Sequence, residues 1–115
     1  MATTVSTNNP LPKDGNAVSV QGTFKTLTAG NKNVTSAGVP VQLLTATTPC
    51  KLIEIVGKDT NTKNIYVGDS TVLASTKTGI PISPLGSISV GITDVSSVYI
   101  DADVSGEGVS FVYFD

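Results

Sequence analysis

Apolar and polar residues alternate with a period of two along most of the chain, the signature of half-buried β-strands. The clearest run is Lys51–Gly57 (KLIEIVG), in which Leu52, Ile53 and Ile55 cannot all share one face. Asn64–Gly68 (NIYVG) follows a polar hairpin tip at 58–63. Ser87–Ile92 alternates without a break, with Ile88, Val90 and Ile92 facing inward. Val98–Asp101 and Gly108–Phe114 complete the set, and the last is apolar on both faces, as expected of a strand buried by a second layer or by another chain. Upstream, Ala17–Val20 and Thr23–Thr28 alternate, with Val18, Val20, Phe24 and Leu27 as inward candidates. Val39–Ala46 is a further strand with Pro40 at its start or edge, and Thr71–Ser75 is another. Ala29–Asn33 is rich in turn residues and predicts a loop. Residues 78–86 carry two prolines and two glycines and predict a surface excursion. Thr93 or Asp94 caps a single helical turn ending near Ser97. About eight short strands at this spacing indicate an all-β fold, an antiparallel β-sandwich or a jelly-roll-like barrel.

Residues 1–16 break the pattern. They hold two prolines, several asparagine and aspartate residues and no apolar period. They predict a disordered tail in the isolated chain or an extended N-terminal arm, with Leu11 and Pro12 as its contact residues, that orders only against a neighbouring subunit. Residues 17–115 form the single β-sandwich domain.

Composition supports the β assignment and removes several functions. The chain holds 16 Thr, 12 Ser and 15 Val but two Glu and two Gln, a balance that suits pleated surfaces and not helices. All seven cations are lysines, and the net charge is -2. Without arginine or a basic cluster, nucleic acid is not an expected partner. Histidine is absent, which removes Ser-His-Asp and Cys-His catalysis and histidine metal sites. No apolar run approaches the ~20 residues of a membrane helix, so no membrane partner is expected. The single cysteine, Cys50, is expected in the core, inert for want of a neighbouring base. No catalytic residue and no cofactor are predicted, and the chain reads as a non-enzyme.

The segment Asp101-Ala102-Asp103-Val104-Ser105-Gly106-Glu107 admits two readings. Carboxylates at alternate positions before a glycine resemble the start of a calcium loop, with Asp101, Asp103 and Glu107 as weak candidate ligands. The same residues suit an acidic hairpin turn. The position where an EF-hand needs its last carboxylate is Val112. Tyr66, Tyr99 and Tyr113 sit in strands and read either as core rim or as contact residues, since tyrosine suits half-buried interfaces.

The run of motifs from residue 41 onward resembles small β-sandwich virion proteins of tailed bacteriophages. The residues concerned are Leu52–Ile55, Asn61–Ser70, Gly79–Gly86, Ser87–Val90, Val98–Asp101 and Gly106–Phe111. The resemblance implies a structural role and carries no active-site residues. It implies a capsid decoration (cement) protein that binds the major capsid protein on the outside of the head, as a homo-oligomer with a trimer expected. Such a chain is made in the host bacterial cytoplasm and ends on the capsid surface. A tail or head-fibre accessory protein is the alternative reading. A lectin-like carbohydrate- or calcium-binding module using the Asp101–Glu107 loop is the other.

Overall fold

The computed structural model describes residues 24–115. The predicted arm, with Leu11 and Pro12, and the predicted strand at Val18 and Val20 lie outside the described residues.

Eight strands form: β1 Leu27–Asn33, β2 Val41–Gln42, β3 Leu52–Gly57, β4 Ile65–Gly68, β5 Ile80–Ile82, β6 Ser87–Val90, β7 Tyr99–Ala102 and β8 Gly108–Phe114. They make two antiparallel four-stranded sheets, ordered β1-β8-β3-β6 and β2-β7-β4-β5. β1 pairs with β8, β2 with β7, β3 with β6 and β4 with β5. The first half of the chain therefore runs back along the second, as one long hairpin rolled on itself. The further pairs β3·β8 and β4·β7 close the roll. This strand order is that of a jelly roll.

The core lies between the sheets. β3 contributes Ile53 and Ile55, and β8 contributes Phe111 opposite Ile55 and Val109 opposite Gly57, with Tyr113 half-buried opposite Ile53. The second sheet answers with Ile65, Val67, Ile82, Ile100 and Ala102. Val34, Leu43, Val95 and Val98 close its ends, and Ile88, Val90 and Ile92 pack half-buried along its β6 side. Each such aliphatic side chain, fully removed from water, contributes about 1.5–3 kcal/mol before the entropy of ordering it. β3 shows the period directly, since its residues alternate between buried and half-buried along the whole strand.

Several predicted elements move. The segment 29–33 is not a loop but the body of β1, and the paired strand begins at Leu27 rather than Thr23. Gly30 is tolerated there because it lies under the Phe111 ring, where a Cβ would come within 2.7 Å of the ring carbon. Leu27 points outward and is 63% exposed. Only Val41–Gln42 of the predicted strand at 39–46 is paired. β3 and β4 are not a hairpin, because they belong to different sheets. Thr71–Ser75 is a turn leading into a 3-10 turn at Ala74–Thr76, drawn out of strand pairing by a buried carboxylate described below. Within the predicted excursion at 78–86, Ile80–Ile82 is strand β5, an edge position where the missing amide of Pro81 costs no ladder bond. The predicted helical turn is present as a 3-10 turn at Val95–Ser97, capped by Asp94.

Candidate functional site

The acidic segment is neither a metal loop nor a simple turn. Among the described residues no three carboxylate or thiolate groups gather where they could share a metal ion. The three carboxylates part company because strand β7 ends at Ala102 and the chain then turns.

Asp101 is completely buried on the outer face of the second sheet. Its Oδ1 accepts from the amide of Gly38 (2.9 Å) and its Oδ2 from the amide of Ala74 (2.8 Å). One carboxylate thus pins two loops against the sheet. The 69–78 loop so held covers Tyr66, Val72 and Ala74, with Tyr99 beside them. It ends at Lys77, which adopts a left-handed conformation (φ 59°) and holds its ammonium 5.8 Å from the centre of the Tyr66 ring.

Glu107 pins a second loop. It accepts from the Thr62 amide (2.7 Å), the Thr62 hydroxyl (2.7 Å) and the Lys63 amide (3.2 Å). These bonds, the Thr62 hydroxyl foremost, and the nearby Lys63 charge hold its carboxyl below the ordinary glutamate value. Beside it the buried Asn61 side chain donates to the Gly108 carbonyl (2.7 Å) and accepts from the Gly108 amide (3.1 Å). Gly108 has to be glycine, since a Cβ there would run into the backbone of Lys32 and Asn33 on β1.

The two pinned loops form the walls of one cleft of about 560 Å³. Thr62, Lys63 and Asn64 line it from one loop and Lys77 from the other. Pro81, Pro84 and Asp103 complete the rim, with Tyr66 beneath. The carboxylates singled out by sequence therefore meet around this cleft in separate roles: Asp101 and Glu107 position its lysine-bearing loops, and Asp103 lines it. Asn61, Lys63, Lys77 and the two prolines escaped the sequence reading. Their convergence depends on pairings across long stretches of chain, and no local motif marks it.

The tyrosines separate. Tyr66 is 2% exposed beneath the 69–78 loop. Tyr113 packs half-buried against the core and Tyr99 half-buried against the Tyr66 cluster. Cys50 is buried, and its thiol donates to the Ile92 carbonyl (3.1 Å). Burial, reinforced by the charges of Asp94 and Asp115, raises its pKa and disfavours the thiolate. Asp94 accepts from the amides of Thr48 and Ser96 and the Ser96 hydroxyl, which hold its carboxyl below the ordinary aspartate value.

The outer faces of the two sheets differ. That of β2-β7-β4-β5 is covered by the chain's own loops. That of β1-β8-β3-β6 is bare. Register places Leu27, Ala29 and Asn31 of β1, Ser110, Val112 and Phe114 of β8, Leu52, Glu54 and Val56 of β3, and Ser87 and Ser89 of β6 on it together, so its apolar part is the patch of Leu27, Phe114, Leu52, Val112 and Val56 and its β6 side is polar. Phe24 folds onto Phe114 at the same end, with ring centroids 5.3 Å apart. The apolar second face of β8 is this surface. A shallow depression of about 290 Å³ bounded by Ala29, Val56 and Val112 runs along it.

Among the described residues no helix is long and apolar enough to cross a membrane. Comparison of the chain with protein-family models, curated proteins and solved structures finds no match.

Proposed function

We propose that the chain is a structural subunit of a tailed-phage virion, a capsid decoration protein that binds the head as a cyclic homo-oligomer, a trimer in the simplest case. The observation that supports it most is the bare apolar face of the β1-β8-β3-β6 sheet. Sheets in isolated domains bury one face and solvate the other with polar side chains. Here leucine, valine and phenylalanine occupy the second face as well, a pattern that marks an interaction surface. The opposite sheet, in the same chain, has its outer face covered. A repeating assembly explains the asymmetry, with a neighbouring subunit seated on the bare face and the arm, with Leu11 and Pro12, reaching the major capsid protein. The jelly-roll strand order is compatible with this role and with many others, so it adds only analogy.

The test is the copy number of this chain in purified particles of its source, measured by quantitative mass spectrometry against the major shell protein. Near-stoichiometric copies support shell decoration. A few copies per particle move the chain to a tail or vertex, and absence refutes the virion role. Deleting residues 1–16 should abolish capsid binding and leave the sandwich folded; retained binding removes the arm from the attachment.

A further inference from the structure

We infer that the open flank of the sandwich, between β6 of one sheet and β5 of the other, takes an added strand from a second copy of this chain, residues 17–20. The inference rests on the homo-oligomer of the proposed role but needs neither the capsid nor the bare face.

Three observations carry it. First, β6 is an edge that nothing guards. Edge strands are normally blunted by charge, proline, a bulge or brevity. β1 carries Lys32, β2 is two residues long, and β5 holds Pro81. β6, Ser87-Ile88-Ser89-Val90, carries no charge and no proline, and its register with β3 runs without a bulge. It ends the order β1-β8-β3-β6, and among the described residues its backbone pairs with β3 alone. The amides and carbonyls on its other side are a template for a further strand.

Second, the space beside that edge is apolar. A groove of about 200 Å³ runs between the sheets there, with Ile88, Val90 and Ile92 on one wall and Val67, Ile80 and Val98 on the other. Ile88, Val90 and Ile92 are only half-buried although they face the core, and Ile80 is 56% exposed. A strand added to β6 would point alternate side chains into this groove and the others to the outer face, where Ser87 and Ser89 already stand. The matching occupant is a short extended segment, aliphatic at alternate positions and small and polar between them.

Third, the chain holds such a segment, and its place in the chain decides whose edge it meets. Ala17-Val18-Ser19-Val20 repeats the β6 pattern of serine between aliphatic residues, and Asn16 and Gln21-Gly22 bound it. It lies outside the described residues, which begin at Phe24. The amides of Lys25 and Thr26 both donate to the Asp115 carbonyl, on the side of the sheet away from β6, and Phe24 stacks on Phe114 of β8. A place beside β6 is three inter-strand spacings from β8, or ~14 Å. The chain from Phe24 back to Val20 spans at most ~14 Å when fully extended. Crossing the sheet uses that whole length and leaves none for descending from the outer face and turning along β6. A neighbouring copy meets no such limit.

The test is amide hydrogen exchange on the full ¹⁵N-labelled chain over a concentration series, with light scattering on the same samples. The amides of Ser87–Val90 that face away from β3 should gain protection as concentration rises. Val18→Asp combined with Val20→Asp should weaken association about hundredfold or more, since two aliphatic side chains lose their apolar contact. It should also return those amides to fast exchange. Ile80→Lys, at an exposed position on the opposite wall, should weaken association about tenfold or more. Both variants should keep the Tm of the dilute wild-type chain. Deleting residues 1–16 should leave β6 protection unchanged, which separates this contact from capsid attachment. Unchanged association in the Val18→Asp, Val20→Asp chain overturns the role of the segment. Protection of β6 that is independent of concentration overturns the second copy, because it places the segment on its own subunit. Association without β6 protection overturns the strand exchange and leaves the proposed role standing. A chain that stays monomeric at about 1 mM overturns both the exchange and the homo-oligomer.

Discussion

Asp101→Ala should destabilise the sandwich by about 2–4 kcal/mol. Two amides lose their acceptor, and their burial decides the size of each term. The Ala74 amide is bonded in a buried setting, so water cannot replace the carboxylate there and the full penalty of about 1–3 kcal/mol applies. Gly38 is exposed at its loop. Its amide can turn to solvent, and only the net value of a hydrogen bond, about 0.5–1.5 kcal/mol, is lost. For a domain of this length that sum lowers Tm by about 8–20 °C. Asp101→Asn keeps the shape and one acceptor, and should fall between wild type and alanine. Thermal and urea unfolding of the three proteins give the totals, and hydrogen exchange assigns them: the Ala74 and Gly38 amides should lose protection beyond the global drop, while those of Ile53 and Ile55 follow it. Millimolar calcium should leave Tm unchanged, because both Asp101 oxygens already accept amides. A loss below about 1 kcal/mol for Asp101→Ala, or unchanged exchange at Ala74, would refute the role of this carboxylate as the pin of the 69–78 loop.

Three further outcomes follow from the same contacts. Gly108→Ala should cost about 3 kcal/mol, the upper range for overpacking, because the new Cβ meets the backbone of β1 and not a flexible side chain; denaturant unfolding measures it. The Glu107 carboxyl is held below its ordinary value of 4.5, so its contribution is present above that pH and disappears as pH falls through the lowered folded value. Glu107→Gln should therefore be less stable than wild type near pH 7 and show a flatter stability profile below about pH 4.5, as followed by Tm against pH. Leu85 is 70% exposed in a left-handed conformation (φ 64°) at the third position of the Ser83–Gly86 turn. Leu85→Asn, which tolerates that region, should gain about 0.5–1 kcal/mol and raise Tm by a few degrees.

The strands that the sequence discloses are those whose pattern is enforced by the core alone. β6 carries unbroken alternation and β3, β4, β7 and β8 carry short runs dense in β-branched and aromatic residues, and the structure places all five where the pattern predicts. β1 and β5 were hidden because edge strands tolerate residues that read as turns. Gly30 serves β1 by making room for Phe111, and Pro81 serves β5 by having only one partner strand. Thr71–Ser75 failed in the other direction. Its β-branched residues suit a strand, but the Asp101 carboxylate claims the Ala74 amide from 27 residues away in sequence. The sheet assignment of β3 and β4 was equally out of reach, because a polar tip at 58–63 is compatible with a hairpin and with a crossing between layers. The candidate carboxylates were legible as residues of consequence and illegible in role. Their spacing in sequence suggested a shared ion, whereas the covering loop and the turn after Ala102 send Asp101 to the Ala74 and Gly38 amides, Asp103 to the cleft and Glu107 across to Thr62.

The unequal outer faces of the two sheets follow from how one of them is covered. Covering the β2-β7-β4-β5 face requires the 69–78 loop, and holding that loop requires a buried carboxylate, which is costly unless every oxygen is occupied. Both oxygens of Asp101 are occupied by amides. The same loop delivers Lys77 to the cleft, so covering the sheet and building the cleft are one structural event. The bare face lies on the opposite side of the sandwich, about one sheet-to-sheet spacing of ~10 Å beyond the core. A subunit or shell protein seated on Leu27, Leu52, Val112 and Phe114 would therefore leave the cleft open to solvent. Substitutions such as Val112→Lys, which charge the bare face, should weaken self-association and leave the sandwich folded. Light scattering and thermal unfolding of wild type and variant check this; unchanged self-association would remove the face from the assembly.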